Sequence, residues 1–250
     1  MSDSQETTHF GFRDIPVGEK VGQVRRVFDS VAEKYDLMND LMSLGIHRLW
    51  KRQAIAKLKL QPGDHCLDLA GGTGDLAILM HKKMEGQGRV TLCDINLSML
   101  KQGRKRLTDE GMVSSIDWVC GNAEKLPFPD NSFQAATIGF GIRNVTRIQR
   151  ALDEMQRVVK PGGQVLVLEF SKVAIPFLRP IYDTYSFNLL PEIGQIVTKD
   201  RDSYQYLVES IRQFPDQETF KEMMESAGLY RVRYDNLSAG IAAIHVGFKV

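Results

Sequence analysis

The chain has 250 residues, 43% of them hydrophobic and 25% charged, with 32 basic and 31 acidic residues and a formal net charge of +1. This composition suits a folded globular protein with its own core, and the charge balance gives no electrostatic reason to expect nucleic acid as a partner. Residues 1–8 are polar and acidic, unlike a secretory or Arg-rich targeting segment, and no apolar run approaches the ~18 residues that span a bilayer, so a cytoplasmic location is expected.

Residues 1–18 read as a flexible or draped arm. From Glu19 to Lys59 the pattern is helical, with Val24, Val27, Phe28 and Val31 at helical spacing and a break at Ser43 and Gly45. Gln61-Pro62-Gly63-Asp64 is a turn. Strand and helix patterns then alternate. His65–Leu69 is a strand, Asp75–Lys83 a helix, Arg89–Asp94 a strand, and Ser98–Glu110 a helix capped by Asn96 or Ser98. Ile116–Cys120 and Ala135–Phe140 are strands. Arg147–Val159 is a helix ended by Lys160-Pro161-Gly162-Gly163, and Gln164–Phe170 is a continuous apolar strand. This order predicts an α/β fold, a mostly parallel sheet with helices on both faces. Tyr230–Asn236 and Ile241–Phe248 read as a closing antiparallel hairpin. Between them and the core, residues 172–214 hold Phe177, Tyr182, Tyr185, Phe187, Leu189, Leu190, Tyr204 and Tyr206, and are read as a helical cap. The expected organisation is an N-terminal arm and helices over residues 1–60 that cover the site, and a main domain over 61–250.

The stretch most loaded with chemistry is Leu67-Asp68-Leu69-Ala70-Gly71-Gly72-Thr73-Gly74-Asp75. An apolar strand ends in an acid and a glycine cluster, which lets a ligand approach the backbone closely at the carboxyl edge of the sheet. Gly72-Thr73-Gly74-Asp75-Leu76-Ala77 matches a G-x-G-x-x-A dinucleotide pattern. A pyrophosphate there requires a helix N-terminus without a nearby anion, and Asp68 and Asp75 flank the loop. Acids suit a cationic ligand better, and S-adenosylmethionine carries a sulfonium, an ammonium and a ribose. Asp94, ending the next strand, can accept both ribose hydroxyls. Asn122, after the third strand, can contact an adenine through its amide, with the Ala123 N–H donating to a ring nitrogen. Asn122 read alone is equally a turn residue bonded to its own backbone. Cys66, Cys93 and Cys120 show no metal-ligand spacing and fit a reducing compartment, and no metal is expected.

At this point the chain resembles class I S-adenosylmethionine-dependent methyltransferases, with their D-x-G-x-G-x-G pattern on Asp68, Ala70, Gly72 and Gly74. Ala70 departs from the first glycine, a mild departure if its φ is negative. Tyr35–Trp50 and Arg157–Ser171 resemble the two signatures of the ubiquinone/menaquinone biosynthesis C-methyltransferase family. Residues 7–12, Gly141-Ile142-Arg143-Asn144-Val145 and the closing hairpin extend the resemblance over nearly the whole chain.

The resemblance implies a Rossmann-like seven-stranded fold and S-adenosylmethionine as methyl donor. Cofactor contacts are implied at Gly71, Thr73, Asp94, Asn122 and Ala123; Gly139, where many relatives have Ser, brings no side chain to that position. The reaction implied is C-methylation of a polyprenylated benzoquinol or naphthoquinol. Such a ring becomes nucleophilic when its phenol loses or shares a proton. Arg143 is expected to stabilise the phenolate or polarise a water, with Asn144 orienting the same hydroxyl; the plainer reading pairs Arg143 with a surface acid. Tyr182, Tyr185, His9 and His47 are weaker candidates, and His47 reads as structural. The aromatic cap offers a groove for the prenyl tail or closes a small core of its own. A quinone-biosynthesis complex and peripheral contact with the inner face of a membrane are the partners implied. Another small-molecule methyltransferase, and a cofactor-binding scaffold without turnover, are the alternatives.

Overall fold

The structure is a computed structural model and describes residues 6–31, 40, 43, 45–112, 115–175, 177, 192, 195 and 200–250. Its centre is a seven-stranded sheet. The strands are β3 (His65–Leu69), β4 (Arg89–Asp94), β5 (Ile116–Cys120), β6 (Phe133–Gly139), β7 (Val159–Phe170), β8 (Leu229–Leu237) and β9 (Ala242–Lys249). Their spatial order is β5-β4-β3-β6-β7-β9-β8. The first five are parallel, while β9 pairs antiparallel with both β7 and β8. The chain leaves β3 toward β4 and β5, then returns to place β6 on the other side of β3. That reversal opens a crevice above the carboxyl ends of β3, β4 and β6.

Period-2 alternation in the central strands builds two cores, one on each face. Leu67, Leu69, Val165 and Val167 pack with Leu152 and Met155 of α5 (Ile148–Val158) and Phe220 and Met224 of α7 (Gln217–Ser226). Cys66, Leu166 and Leu168 point the other way, into the core shared with Trp50 of α2 (His47–Lys57), Leu76 and Met80 of α3 (Asp75–Lys83), Leu100 and Leu107 of α4 (Leu97–Asp109), and Tyr204 and Leu207 of α6 (Arg201–Gln213). The two buried thiols, Cys66 and Cys93, are pushed up to about 12 by burial and pack as small apolar groups.

The expected arm takes a definite shape over its described residues. Thr7–Phe10 (β1) and Arg13–Pro16 (β2) form an antiparallel hairpin turning at Gly11, followed by helix α1 (Val17–Val31). Alternation over four residues was too short a signal to read as a strand. The cap is only partly described. Its last part is helix α6; Phe177 is exposed, and Tyr182, Tyr185, Phe187, Leu189 and Leu190 lie outside the described residues. The same holds for Tyr35–Asn39 of the first signature. The hairpin β8–β9 turns through a short 3-10 segment, Ser238–Gly240.

Candidate functional site

The glycine loop joins β3 to α3. Gly74 is the N-cap of α3 with φ +86°, a left-handed conformation in which a Cβ would also lie 2.7 Å from Leu107. A glycine cap offers no side-chain acceptor. Asp68, one strand earlier, supplies it: the Ala77 N–H donates to Asp68 Oδ2 at 3.1 Å, and Thr137 Oγ1 donates to Oδ1 at 3.0 Å. Burial pushes Asp68 up to about 7, although those two donors favour the charged form. Asp75 turns away from the loop, to Lys51 Nζ of α2 at 2.5 Å and Arg106 of α4 at 2.6 Å. Burial works against it, yet those two cations hold Asp75 down at about 2. The flanking acids are therefore each paired with internal partners. Ala70 departs from expectation: its φ is +49°. An L side chain in that region costs about 1 kcal/mol, and its Cβ sits where a Cβ on Gly141 would come within 2.7 Å.

Above the loop lies a pocket with about 790 Å³ of empty space, counting its open mouth. Gly72, Asp94, Met99, Asn122, Ala123, Phe140 and Asn144 line it. Asp94 is pinned at its base, accepting the Gly72 N–H at 3.0 Å on one oxygen and the Asn96 N–H at 2.8 Å on the other. Each carboxylate oxygen keeps a lone pair for a ligand hydroxyl. Burial pushes Asp94 up to about 6, against the pull of the Asn96, Gly72 and Ile95 backbone donors. Asn122 makes the local turn and also lines the pocket. Its Oδ1 accepts the Glu124 N–H at 2.9 Å in a local turn, which leaves its NH2 for the pocket wall. Ala123 lines the wall beside it. Gly71 and Thr73 border a smaller adjoining cavity with Asp68, Asp75, Lys51 and Gly139. A side chain on Gly139 would meet Leu76 at 2.8 Å, so backbone is all that this position presents.

Helix α1 lies over the pocket. Val21, Val24, Arg25 and Phe28, at i, i+3, i+4 and i+7, form its inner face. Hydrogen bonds along the helix tie it down: Lys20 donates to the Val145 carbonyl at 3.2 Å, Arg25 to the Ile95 carbonyl at 3.3 Å, Asn96 Nδ2 to Asp29 at 3.0 Å, and Ser30 to Asp200 at 2.6 Å. Asn96 also caps α4, accepting the Ser98 and Met99 N–H groups.

Arg143 and Asn144 share a 3-10 turn (Ile142–Asn144) after β6 but face different surroundings. Asn144 lines the pocket. Arg143 is buried and does not: it donates to Glu169 of β7 at 2.6 Å and to the Phe140 carbonyl at 2.6 Å. The acid that pairs with Arg143 is a buried one, itself 2% exposed. Burial raises the Glu169 carboxyl while the Arg143 charge opposes that shift. Arg143 borders a neighbouring cavity with His9, Lys20, Thr146 and Tyr206. His47 is buried and bonds Asp40 at 2.9 Å, consistent with a structural role, while exposed His9 pairs with Asp14 at 3.0 Å.

The chain matches the ubiE/COQ5 methyltransferase family over residues 17–249. It belongs to that family. A Francisella philomiragia protein named ubiquinone/menaquinone biosynthesis C-methyltransferase UbiE is 56% identical over 249 residues, 100% of both chains. A Hydrogenovibrio crunogenus protein of the same name is 55% identical over 248 residues, 99% of this chain and 98% of that one. Among solved structures, a SAM-dependent methyltransferase from Aquifex aeolicus matches with TM-score 0.62 at 17% identity, covering 85% of this chain and 97% of that one. The cyclase SpnF matches with TM-score 0.68 at 16% identity, covering 91% and 96%. A cyclase on the same scaffold shows that the fold alone does not fix the reaction. The methyl donor expected of this methyltransferase from its sequence is S-adenosylmethionine. Its pocket suits that cofactor: a pinned carboxylate for a ribose, an apolar wall at Met99 and Ala123, and Gly72, where a Cβ would crowd Met99 at 3.1 Å.

Several residues of the methyltransferase site are not evident as site residues from the sequence. Lys51 joins through an ion pair across 24 positions. Gly103 of α4 approaches the loop so closely that a Cβ would lie 2.6 Å from the Gly72 carbonyl. Glu169 and Tyr206 reach the turn after β6 from distant elements. Of these, Glu169 lies within the second signature, Arg157–Ser171, and on α1 the sequence stripe had already marked Val24 and Phe28.

Proposed function

We propose that this protein transfers a methyl group from S-adenosylmethionine to a ring carbon of a polyprenylated benzoquinol or naphthoquinol in ubiquinone/menaquinone biosynthesis. The observation that carries the reading is end-to-end identity of 55–56% with proteins of that name. In this reading Asp94 accepts the ribose hydroxyls, Asn122 and Ala123 meet the adenine, and Gly71 and Thr73 flank the amino-acid end. The bound cofactor supplies an electrophilic methyl on a sulfonium. The chain supplies orientation and a donor. Phe140, Gly141 and Asn144 line the same pocket as Asp94, and the Asn144 NH2, buried and without a partner among the described residues, donates in this reading to the phenolic oxygen as its proton leaves. Arg143, held by Glu169 and the Phe140 carbonyl, fixes the turn that presents Asn144.

The experiment is incubation with methyl-labelled S-adenosylmethionine and a short-tailed demethylated quinol under reducing conditions. Label on a ring carbon is the expected result. Cofactor binding without transfer to any quinol refutes the reading and favours a scaffold.

Peripheral contact with a membrane, within a cytoplasmic setting, and membership of a quinone-biosynthesis complex belong to the same proposal. Among the described residues no helix is long and apolar enough to cross a membrane. Ile46, Leu49, Leu97, Ile175 and Phe177 are exposed in segments at the carboxyl rim of the sheet, and Arg48 and Arg52 share the outer face of α2 with Leu49. Flotation with anionic vesicles tests it; protein left entirely in the unbound fraction, with and without quinone, refutes membrane contact.

A further inference from the structure

We propose that Tyr206 is a positioning residue that sets the direction of the Asn144 amide and so makes this wall of the pocket a hydrogen-bond donor. The proposal rests on the methyl-transfer reading above and deepens it, because it specifies which form of the acceptor oxygen the site selects.

An asparagine amide presents either an oxygen acceptor or an NH2 donor to a ligand, and a half-turn about its last torsion exchanges them. Something must break that symmetry if the side chain is to serve one protonation state of a substrate. Here Tyr206 OH, from α6, donates to Asn144 Oδ1 at 2.9 Å across 62 positions of sequence. Tyr206 is buried, and among the described residues its hydroxyl makes this one hydrogen bond. In the reversed orientation Asn144 would itself donate to the phenol, and the Tyr206 proton would be buried without an acceptor, a costly arrangement. The observed direction leaves Asn144 Nδ2 as the remaining group. It is buried and has no partner among the described residues, although Asn144 lines the cofactor pocket beside Phe140 and Gly141. A buried donor without a partner is a fixed demand for an acceptor. A phenolic oxygen that is losing its proton meets that demand with growing strength; a phenol pointing its own hydrogen at the NH2 does not.

Tyr206 is itself held. Phe10 of β1 stacks on its ring with centroids 4.2 Å apart and planes at 20°, and Arg13 lies over Phe10. The N-terminal hairpin thus reaches the site through two residues: Phe10 fixes Tyr206, and Tyr206 fixes Asn144. This gives the arm a task in the reaction although none of its residues lines the pocket.

The test is a double-mutant cycle on the full chain with Tyr206→Phe, Asn144→Ala and the double variant, measured with S-adenosylmethionine and a short-tailed quinol. Tyr206→Phe keeps the ring and its stacking on Phe10, and its thermal midpoint checks the fold. It is expected to lower kcat about tenfold, and Asn144→Ala about a hundredfold, the range seen for loss of one transition-state donor. The KM for S-adenosylmethionine should stay within about twofold of wild type in each, since neither residue is placed on the ribose or adenine. The double variant should match Asn144→Ala, because Tyr206 acts only through that amide. Losses that multiply in the double variant overturn the assignment, as does Tyr206→Phe with wild-type kcat or with kcat loss matched by raised cofactor KM. A wild type inactive on every quinol overturns the parent reading and this one together, so the two failures are told apart by the wild-type arm.

Discussion

Cofactor affinity should fall on acidification, and Asp94 is the reason. The carboxyl is pushed by burial from 3.8 up to about 6. Its ionised form accepts the Gly72 and Asn96 N–H groups and retains lone pairs for two ribose hydroxyls. At pH 7.5 nearly all of it is ionised, and at pH 5 about 10%, so the apparent Kd should rise roughly tenfold across that interval, about 1.4 kcal/mol. Stability moves the other way. A carboxyl with a raised folded-state pKa is strained when ionised, and that strain, of order 3 kcal/mol, is relieved as pH falls through about 6 toward 3.8. Loss of binding from this residue is therefore not loss of fold. Asp94→Asn removes the titration. It also weakens the bonds to the ribose, by about 1.4 kcal/mol or tenfold in Kd, while the backbone donor left facing the NH2 lowers the stability of free and bound protein alike. The assay is calorimetric titration with S-adenosylhomocysteine from pH 5 to 7.5. A wild-type Kd that is flat across the range, or an Asn variant that keeps the wild-type slope, refutes the assignment of Asp94 to the ribose.

Three further outcomes follow from the packing. Glu169→Gln leaves the Arg143 guanidinium buried without its counter-charge and should cost about 3–5 kcal/mol in urea unfolding, whereas Arg143→Met with Glu169→Leu should cost less than the single change. Gly103→Ala drives a Cβ to 2.6 Å from the Gly72 carbonyl; expected are about 1–3 kcal/mol of destabilisation and a raised cofactor Kd, and an unchanged Kd would show that α4 does not brace the loop. Asp75, held from 3.8 down to about 2 by Lys51 and Arg106, contributes about 2 kcal/mol that is present above pH 4 and lost as pH falls toward 2. Asp75→Asn should lower stability by that amount at pH 7, with the gap closing below pH 4.

The alternating order of strands and helices was legible from residue 65 onward because parallel strands buried on both faces read as short apolar runs between helical patterns. Hydrophobic periodicity is a local property, and the strands β3, β4 and β5 match their sequence-predicted bounds residue for residue. The cofactor half of the site was legible for a related reason. A loop that must approach a ligand needs glycine, and the acid that ends the next strand falls beside it by the geometry of the fold.

What the sequence could not determine is which partner each polar side chain takes. Asp68 and Asp75 are seven residues apart and looked alike, yet one caps a helix from within the core and the other answers two cations from α2 and α4. Arg143 and Asn144 are adjacent, yet a 3-10 turn sends one into an ion pair with β7 and the other into the pocket. Ala70 has a positive φ that no side-chain pattern announces, because the loop path is imposed by its neighbours. The hairpin at residues 7–16 was read as a draped arm because four-residue strands carry too little periodicity. The amino-acid order determined the framework and the cofactor class, since both depend on local backbone demands. Tertiary structure alone decided the charge state of each carboxyl and the direction of each donor, since both depend on burial and on partners that lie tens of residues away.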